Sequence, residues 1–284
     1  MTSARLARIF LCSAALTFLF ASTGFAGQQP GVLSSLDDIA NDLKDVPCKR
    51  NGRLEAVRAL FMQMGATAPE ITTQKFRGAE NLVVKLPGLT EDTIILGAHY
   101  DFVDEGCGAI DNWSGIVAMS RVYKSVRALE QEKTLLFVAF DNEETGLVGA
   151  RAMANAIPKE DLIHYCAMIN LDSFGMAQPF AMTNTSAASL MKVASDAASA
   201  MGVVFQTAPI NNADADSSAF LARKIPAITL AGVSANWPTI LHSNNDQKEK
   251  IDSRQVYLGY RVALALWNRI DQAPCNAFRE PPSK

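Results

Sequence analysis

The sequence predicts an α/β fold: one domain built as an α/β/α sandwich, with a mostly parallel (mixed) central sheet covered by helices on both faces. Three observations predict it. Short apolar runs such as Thr93 to Leu96, Lys133 to Phe140 and Ala167 to Leu171 show little polar alternation, the mark of strands buried on both faces. Segments with apolar residues at helical spacing separate these runs, so strand and helix alternate along the chain. Finally, three strands end in histidine or carboxylates: His99, Asp101 and Asp111 follow the first, Glu143 and Glu144 the second, and Asp172 closes the third. Open α/β sheets gather such residues at the carboxyl ends of their strands.

Taken in order, the chain starts with a segment outside this fold. Arg5 and Arg8 precede a mostly apolar stretch, Ile9 to Ala21, and Gly24–Phe25–Ala26 ends in small residues. The apolar core is too short to span a bilayer comfortably, so residues 1–26 are expected to be a cleaved secretory signal. Cleavage after Ala26 leaves residues 27–284 as one domain, because no linker, charge block or internal repeat divides them. Losing Arg5 and Arg8 takes the formal charge from −3 to −5. No basic stripe for nucleic acid and no polybasic membrane patch follows from that balance, and nothing bears on oligomeric state.

Ser34 to Leu43 is a first helix, opened by a serine and acidic early. Asn51–Gly52 breaks the chain before a second helix, Arg53 to Met64. Asn81 to Leu86 is a strand ended by Pro87–Gly88, and the Thr93 strand stops at a small-residue step, Gly97–Ala98. A helix from Ser114 to Leu129 carries Ile116, Met119, Val122 and Val126 on one face. After the Lys133 strand come an alanine-rich helix, Leu147 to Ala156, and the strand ending at Asp172. Phe180 to Thr183, a helix Ala187 to Met201 closed by Gly202, and a short strand Val203 to Gln206 follow. An Asn/Asp-rich loop then leads to a short helix Ser217 to Arg223, a strand Ala227 to Ala231 and a last helix from Ser253 to Ile270.

Export permits disulfides among Cys48, Cys107, Cys166 and Cys275. Cys48 and Cys275 flank the core near the two chain ends, which often lie close together, so these two are expected to pair. Cys107 and Cys166 fall at opposite ends of a parallel sheet and are not expected to.

The chemistry rests on few residues. His99 follows a buried strand and His242 precedes a polar turn, while His164 belongs to no cluster and is assigned a structural role. Imidazole with carboxylate oxygens suits zinc, with manganese or cobalt as substitutes. His99, Asp111, Glu144, Asp172 and His242 are five candidate ligands, too many for one closed tetrahedral site. They point to two zinc ions per chain sharing a carboxylate. Glu143, beside a ligand but not needed as one, is then the general base. Singly, each acid could be a solvated turn or a helix cap; gathered at strand ends, they form a site.

His99–Tyr100–Asp101, Ile110–Asp111–Asn112–x–Ser114–Gly115, Phe140–Asp141–Asn142–Glu143–Glu144–x–Gly146–Leu147, Asn170–Leu171–Asp172 and His242–x–x–x–Asp246 resemble, in order, the motifs of the secreted di-zinc aminopeptidases. That family includes the bacterial leucyl aminopeptidases and glutamate carboxypeptidase-like enzymes, with the glutaminyl cyclases as relatives. The resemblance implies an eight-stranded mixed sheet and removal of N-terminal residues from peptides. It implies that Asp111 bridges two metals, that His99 and Asp172 complete one site, and that Glu144 and His242 complete the other. Glu143 matches the family's general base, and Asp101 the acid that orients the first histidine. Where the family often has Ser-Asp-His, this chain has Ala215–Asp216–Ser217; Asp216 is either a supporting acid or the cap of the Ser217 helix. Asn212 stands where some members use a tyrosine for the oxyanion. Phe102, Cys107, Phe174, Met176 and Phe220, in or beside the motif loops, are candidates for an apolar pocket around the first residue of a substrate. The alternatives are a single-zinc, glutaminyl cyclase-like acyltransferase and a non-catalytic binding ectodomain on the same fold.

Overall fold

Side-chain alternation along the central strands decides the layers. In β3 (Thr90–His99), Ile94, Leu96 and Ala98 enter one apolar cluster while Ile95 enters a second. In β4 (Lys133–Phe140), Leu135, Phe137 and Ala139 face the first cluster and Val138 and Phe140 the second. This computed structural model describes residues 33–279, so the expected signal segment lies outside the described residues.

Eight strands form one mixed sheet in the order β1-β2-β4-β3-β5-β8-β6-β7, as expected. The remaining strands are β1 (Ile71–Phe76), β2 (Ala79–Leu86), β5 (Tyr165–Asp172), β6 (Phe180–Met182), β7 (Gln206–Ala208) and β8 (Ala227–Ala231). The centre is parallel, β4 with β3, β3 with β5 and β5 with β8. Antiparallel pairs lie outside it, β1 with β2, β2 with β4 and β6 with β8.

Helices cover both faces, unevenly. α1 (Leu36–Asp42), α2 (Arg53–Gln63), α3 (Ser114–Val126), α5 (Ala188–Ala200) and α7 (Ser253–Asp271) close the larger cluster; α4 (Val148–Ala156) and α6 (Ser217–Leu221) close the other. α1 starts at Ser35 with a capping box to Asp38, and α7 starts at Asp252, whose side chain accepts from the Arg254 amide. α3 is buried on its polar side too, because α1, α2 and α7 pack over it. Its buried Arg121 meets Asp42 at 2.5 Å, and Ser125 shares a 2.8 Å hydrogen bond with the Tyr260 hydroxyl.

The structure adds one strand and moves another. β1 is an edge strand whose only buried residue is Ile71, so it lacks the apolar run that reveals a central strand. The expected Val203 to Gln206 strand is instead Gln206–Ala208.

The disulfides are Cys48–Cys107 and Cys166–Cys275, which corrects the expected Cys48–Cys275 pair. Cys166 is the second residue of β5, and the chain leaving α7 returns to that end of the sheet. Cys48, just before α2, lies at the other end beside the loop that follows β3. The two chain-end cysteines therefore sit at opposite ends of the sheet. Cys107 and Cys166 remain unpaired with each other, as expected.

Candidate metal centre

Because β4, β3 and β5 are parallel neighbours, their carboxyl ends open side by side. His99 stands opposite Phe140 in register, so the loops after β3 and β4 start at the same level. Close packing there needs small residues: a Cβ on Gly97 would run into the Phe140 ring and the Met168 methyl.

The five expected ligands converge. Asp111 Oδ1 lies 3.1 Å from His99 Nε2, and its Oδ2 lies 3.0 Å from His242 Nε2. Asp172 Oδ1 is 3.7 Å from His99 Nε2, and Glu144 Oε2 is 3.0 Å from His242 Nε2. His99–Asp111–Asp172 and Asp111–Glu144–His242 thus form two triads whose donor atoms lie within 4.8 Å of one another, and both use Asp111. His99 is buried, whereas the His242 side chain is half exposed, at the mouth of the site.

The electrostatics fit cations. Burial opposes a charge on His99, yet Glu143, Asp101, Asp111 and Asp172 overcome it and raise its pKa well above the imidazole range. Hydrogen bonds to Asp111 and Glu144 raise His242 to about 11. Glu144 Oε1 is buried without a hydrogen-bond partner. An acceptor left unpaired among excess negative charge, beside two imidazole nitrogens, is the donor set of a divalent metal with mixed N/O ligands. The residues fit zinc.

Glu143 lines the same cavity, and among the described residues no hydrogen bond restrains its carboxylate. Burial first, then Asp216, Asp172 and Asp111, hold its pKa well above the usual carboxylate range, against the pull of His99. Asp101 does two things. Its carboxylate lies 3.5 Å from His99 Nδ1, and it accepts the amides of Glu143 and Glu144 at 3.0 and 3.2 Å. It therefore fixes the turn carrying Glu143 and Glu144 as well as the His99 ring.

The loop carrying Asp111 is held on every side. Asn112 donates to the Leu171 carbonyl at 2.9 Å and accepts from Gly115 and Ser173 amides. The Ser114 hydroxyl donates to the Ile110 carbonyl at 2.7 Å and accepts from the Phe174 amide at 2.8 Å. Together they tie the loop to the end of β5, where Asp172 sits. Two further groups escaped the sequence reading. Buried Asp246 accepts the amides of Ala109, Ile110 and Asp111 at 2.9, 2.7 and 3.1 Å. Arg53, also buried, donates to the Cys107 and Gly108 carbonyls at 2.9 and 2.6 Å and lies over the Phe102 and Trp113 rings. Asp246 stood in the fifth motif but without a role, and Arg53 offered no signal beyond its place at the start of α2.

The cluster opens into a cavity of about 330 Å³. Its apolar wall is Leu147, Met182, Ile210, Val233, Trp237 and Leu241. None of the five expected pocket residues lines it. Phe102 lies under Arg53, Cys107 is in a disulfide, Phe174 packs on Gly259 of α7, and Phe220 stacks on Phe140; Met176, half-buried, also lies off the wall. Apolar side chains in motif loops turn into the core by default. Asp216 does not cap α6 with its side chain; it is buried, and both carboxylate oxygens lack a hydrogen-bond partner. Asn212 is exposed on the cavity wall with φ 61°. His164 pairs with Asp92 at 3.0 Å on the surface, away from the cluster, as expected.

A model of peptidase family M28 matches residues 81–266, which contain every residue of the cluster. The chain belongs to that family. A vacuolar membrane protease of Eremothecium gossypii is 31% identical over 144 residues, 50% of this chain but 14% of that protein. The chain thus spans a small part of the length of the curated relative it matches. Among solved structures, the LapA aminopeptidase of Legionella pneumophila superposes with a TM-score of 0.74 at 18% identity, covering 84% of this chain and 72% of that one. A glutaminyl cyclase from an Acidobacteriales bacterium gives 0.67 at 18% identity, covering 84% and 92%. At such identities the likeness shows that family M28 members and that cyclase share this fold.

Proposed function

We propose that the chain is a two-zinc aminopeptidase, hydrolysing the first peptide bond of substrates with a free, apolar N-terminal residue. The observation that carries this is Asp111, one carboxylate facing both His99 and His242 and so shared by two ligand triads. Zinc ions bound there would polarise the scissile carbonyl and bring a water's pKa toward about 7. The chain's own residues do the rest. Glu143, unrestrained and of raised proton affinity, takes the water's proton and passes it to the leaving amine. Asp101 keeps the Glu143 and Glu144 amides and His99 in place during that transfer. The acidic groups of the cavity receive the substrate's α-amine, and Leu147, Met182, Ile210, Val233, Trp237 and Leu241 surround its side chain. Asn212 lines the same wall, which supports assigning its amide as a donor to the developing oxyanion.

In this reading residues 1–26 direct export and residues 27–284 form the metallopeptidase domain, secreted or periplasmic; two disulfides support an oxidising compartment. Among the described residues no helix is long and apolar enough to cross a membrane.

Metal analysis of the purified protein, with leucyl, lysyl, glutamyl and N-acetyl-leucyl chromogenic substrates, tests the proposal. Two zinc ions and preference for leucyl are expected, with no cleavage of the acetylated compound. The shared fold of the glutaminyl cyclase motivates the second reading. One tightly held zinc with cyclisation of N-terminal glutamine would establish it instead.

A further inference from the structure

The cavity holds one cation whose role the metal site does not explain. Arg151, on the first turns of α4, lines the cavity with Asp111, Glu143, Glu144, Asp172 and Asp214. Its side chain is exposed and makes no hydrogen bond or ion pair among the described residues, so it stays more than 4.0 Å from every one of those carboxylates. Asp214, the other acid outside the ligand set, is turned to its own loop: its Oδ1 accepts from the Ala215 amide and the Ser218 hydroxyl. The guanidinium is thus a free, planar donor fork set apart from the acids that would receive an amine. Arginine in that state is suited to a carboxylate, which it meets with two parallel hydrogen bonds.

Charge balance permits this. Two divalent ions and one guanidinium offset the five carboxylates of the lining, so a substrate carboxylate is not repelled. Size points the same way. A 330 Å³ cavity lies at the small end of ligand sites. It is about 9 Å across if roughly spherical, and extended peptide advances about 3.3–3.6 Å per residue. An amine among the acids and a carboxylate at Arg151 would therefore belong to neighbouring residues of one short substrate.

Building on the aminopeptidase reading, we propose that Arg151 is a carboxylate-binding residue that selects substrates with an anionic group just beyond the scissile bond. The carboxylate comes either from the C-terminus of a dipeptide or from an acidic second side chain.

The test compares the zinc-loaded wild type with Arg151→Met and Arg151→Lys on Leu-Gly, Leu-Gly-amide and Leu-Glu-amide. Alongside it, calorimetry measures binding of the reduced-bond analogues of Leu-Gly, Leu-Gly-amide and Leu-Glu-amide. The wild type is expected to favour Leu-Gly over Leu-Gly-amide roughly tenfold or more in kcat/KM, as a charged hydrogen bond allows. Arg151→Met should bring that ratio close to one, and Arg151→Lys should retain part of it. Preference for Leu-Glu-amide over Leu-Gly, lost in Arg151→Met, would assign the site to an acidic side chain. Equal rates on all three substrates in the wild type, or preferences unmoved by Arg151→Met, would overturn the proposal. If the wild type cleaves neither the peptides nor leucine anilide, the aminopeptidase reading fails. The calorimetry then decides Arg151 alone: tighter binding of either carboxylate-bearing analogue than of the Leu-Gly-amide analogue, lost in Arg151→Met, supports it, and equal binding of all three overturns it.

Discussion

The two ends of the sheet treat buried charge in opposite ways. At the amino end, buried Lys133 donates to the carbonyls of Asp271 and Ala273, and the Asp271 carboxylate accepts the amides of Glu132 and Lys133. Both of these buried charges have their partners. At the carboxyl end, Glu144 Oε1 and both oxygens of Asp216 are buried without a hydrogen bond, and His99 and His242 are pushed toward protonation by the acids around them. Buried carboxylates are normally satisfied, and among the described residues these three are the only buried carboxylate oxygens without a partner, which marks where a cation completes the structure. The buried Lys133–Asp271 pair is complete within the chain, whereas the acids at the carboxyl end wait for cations.

That contrast can be broken experimentally, starting with the largest effect. Chelation should abolish peptidase activity and addition of zinc should restore it, measured on a leucyl substrate with metal content followed in parallel. Activity surviving in metal-free protein would mean that the unsatisfied acids serve something else.

Glu143→Gln should lower kcat by about 10²–10⁴-fold, the range of a general base, with two zinc ions retained. Asp111→Asn should instead lose metal, because it removes charge from both triads. Equal metal content with activity in both variants would dissolve the distinction between base and bridge.

Asp246→Asn removes a charge that holds three successive amides of the Asp111 loop without touching either triad. Groups that orient ligands are typically worth about 10–100-fold in metal affinity. The expected outcome is weaker zinc binding by that amount in a competition titration, with the fold intact by circular dichroism. Unchanged affinity would show that the disulfide and Arg53 hold the loop alone.

The smallest effect belongs at the amino end. Lys133→Met leaves two carbonyls without their buried donor, a loss of about 1–3 kcal/mol. For a chain of this size that lowers Tm by roughly 2–10 °C. Zinc content and kcat should not move; if they did, the two ends would not be independent.

Much of this was legible in the sequence because it is local. Strands β3, β4 and β5 announce themselves as uninterrupted apolar runs, and their last residues must then share one edge of a parallel sheet. His99, Glu144 and Asp172 could be chosen on that basis, Asp111 as the acid of the loop after β3 and His242 as a histidine before a polar turn, and the structure brings all five together. Edge strand β1 was illegible because its side chains face solvent and carry no period worth reading.

What only the tertiary structure decided depends on which end of the sheet a distant segment reaches. Cys48 and Cys275 are symmetric about the core in sequence but not in space, so each pairs with a different internal cysteine. Asp246 follows His242 by one turn of loop, and only the folded chain shows its carboxylate under the amides of Ala109 to Asp111. The cavity wall is built by Leu147, Met182, Ile210, Val233, Trp237 and Leu241 from separate segments, while Phe174 and Phe220 turn into the core. Residue type and spacing determine which side chains end a strand; the direction in which a loop side chain then points is set by packing against partners far away in the chain.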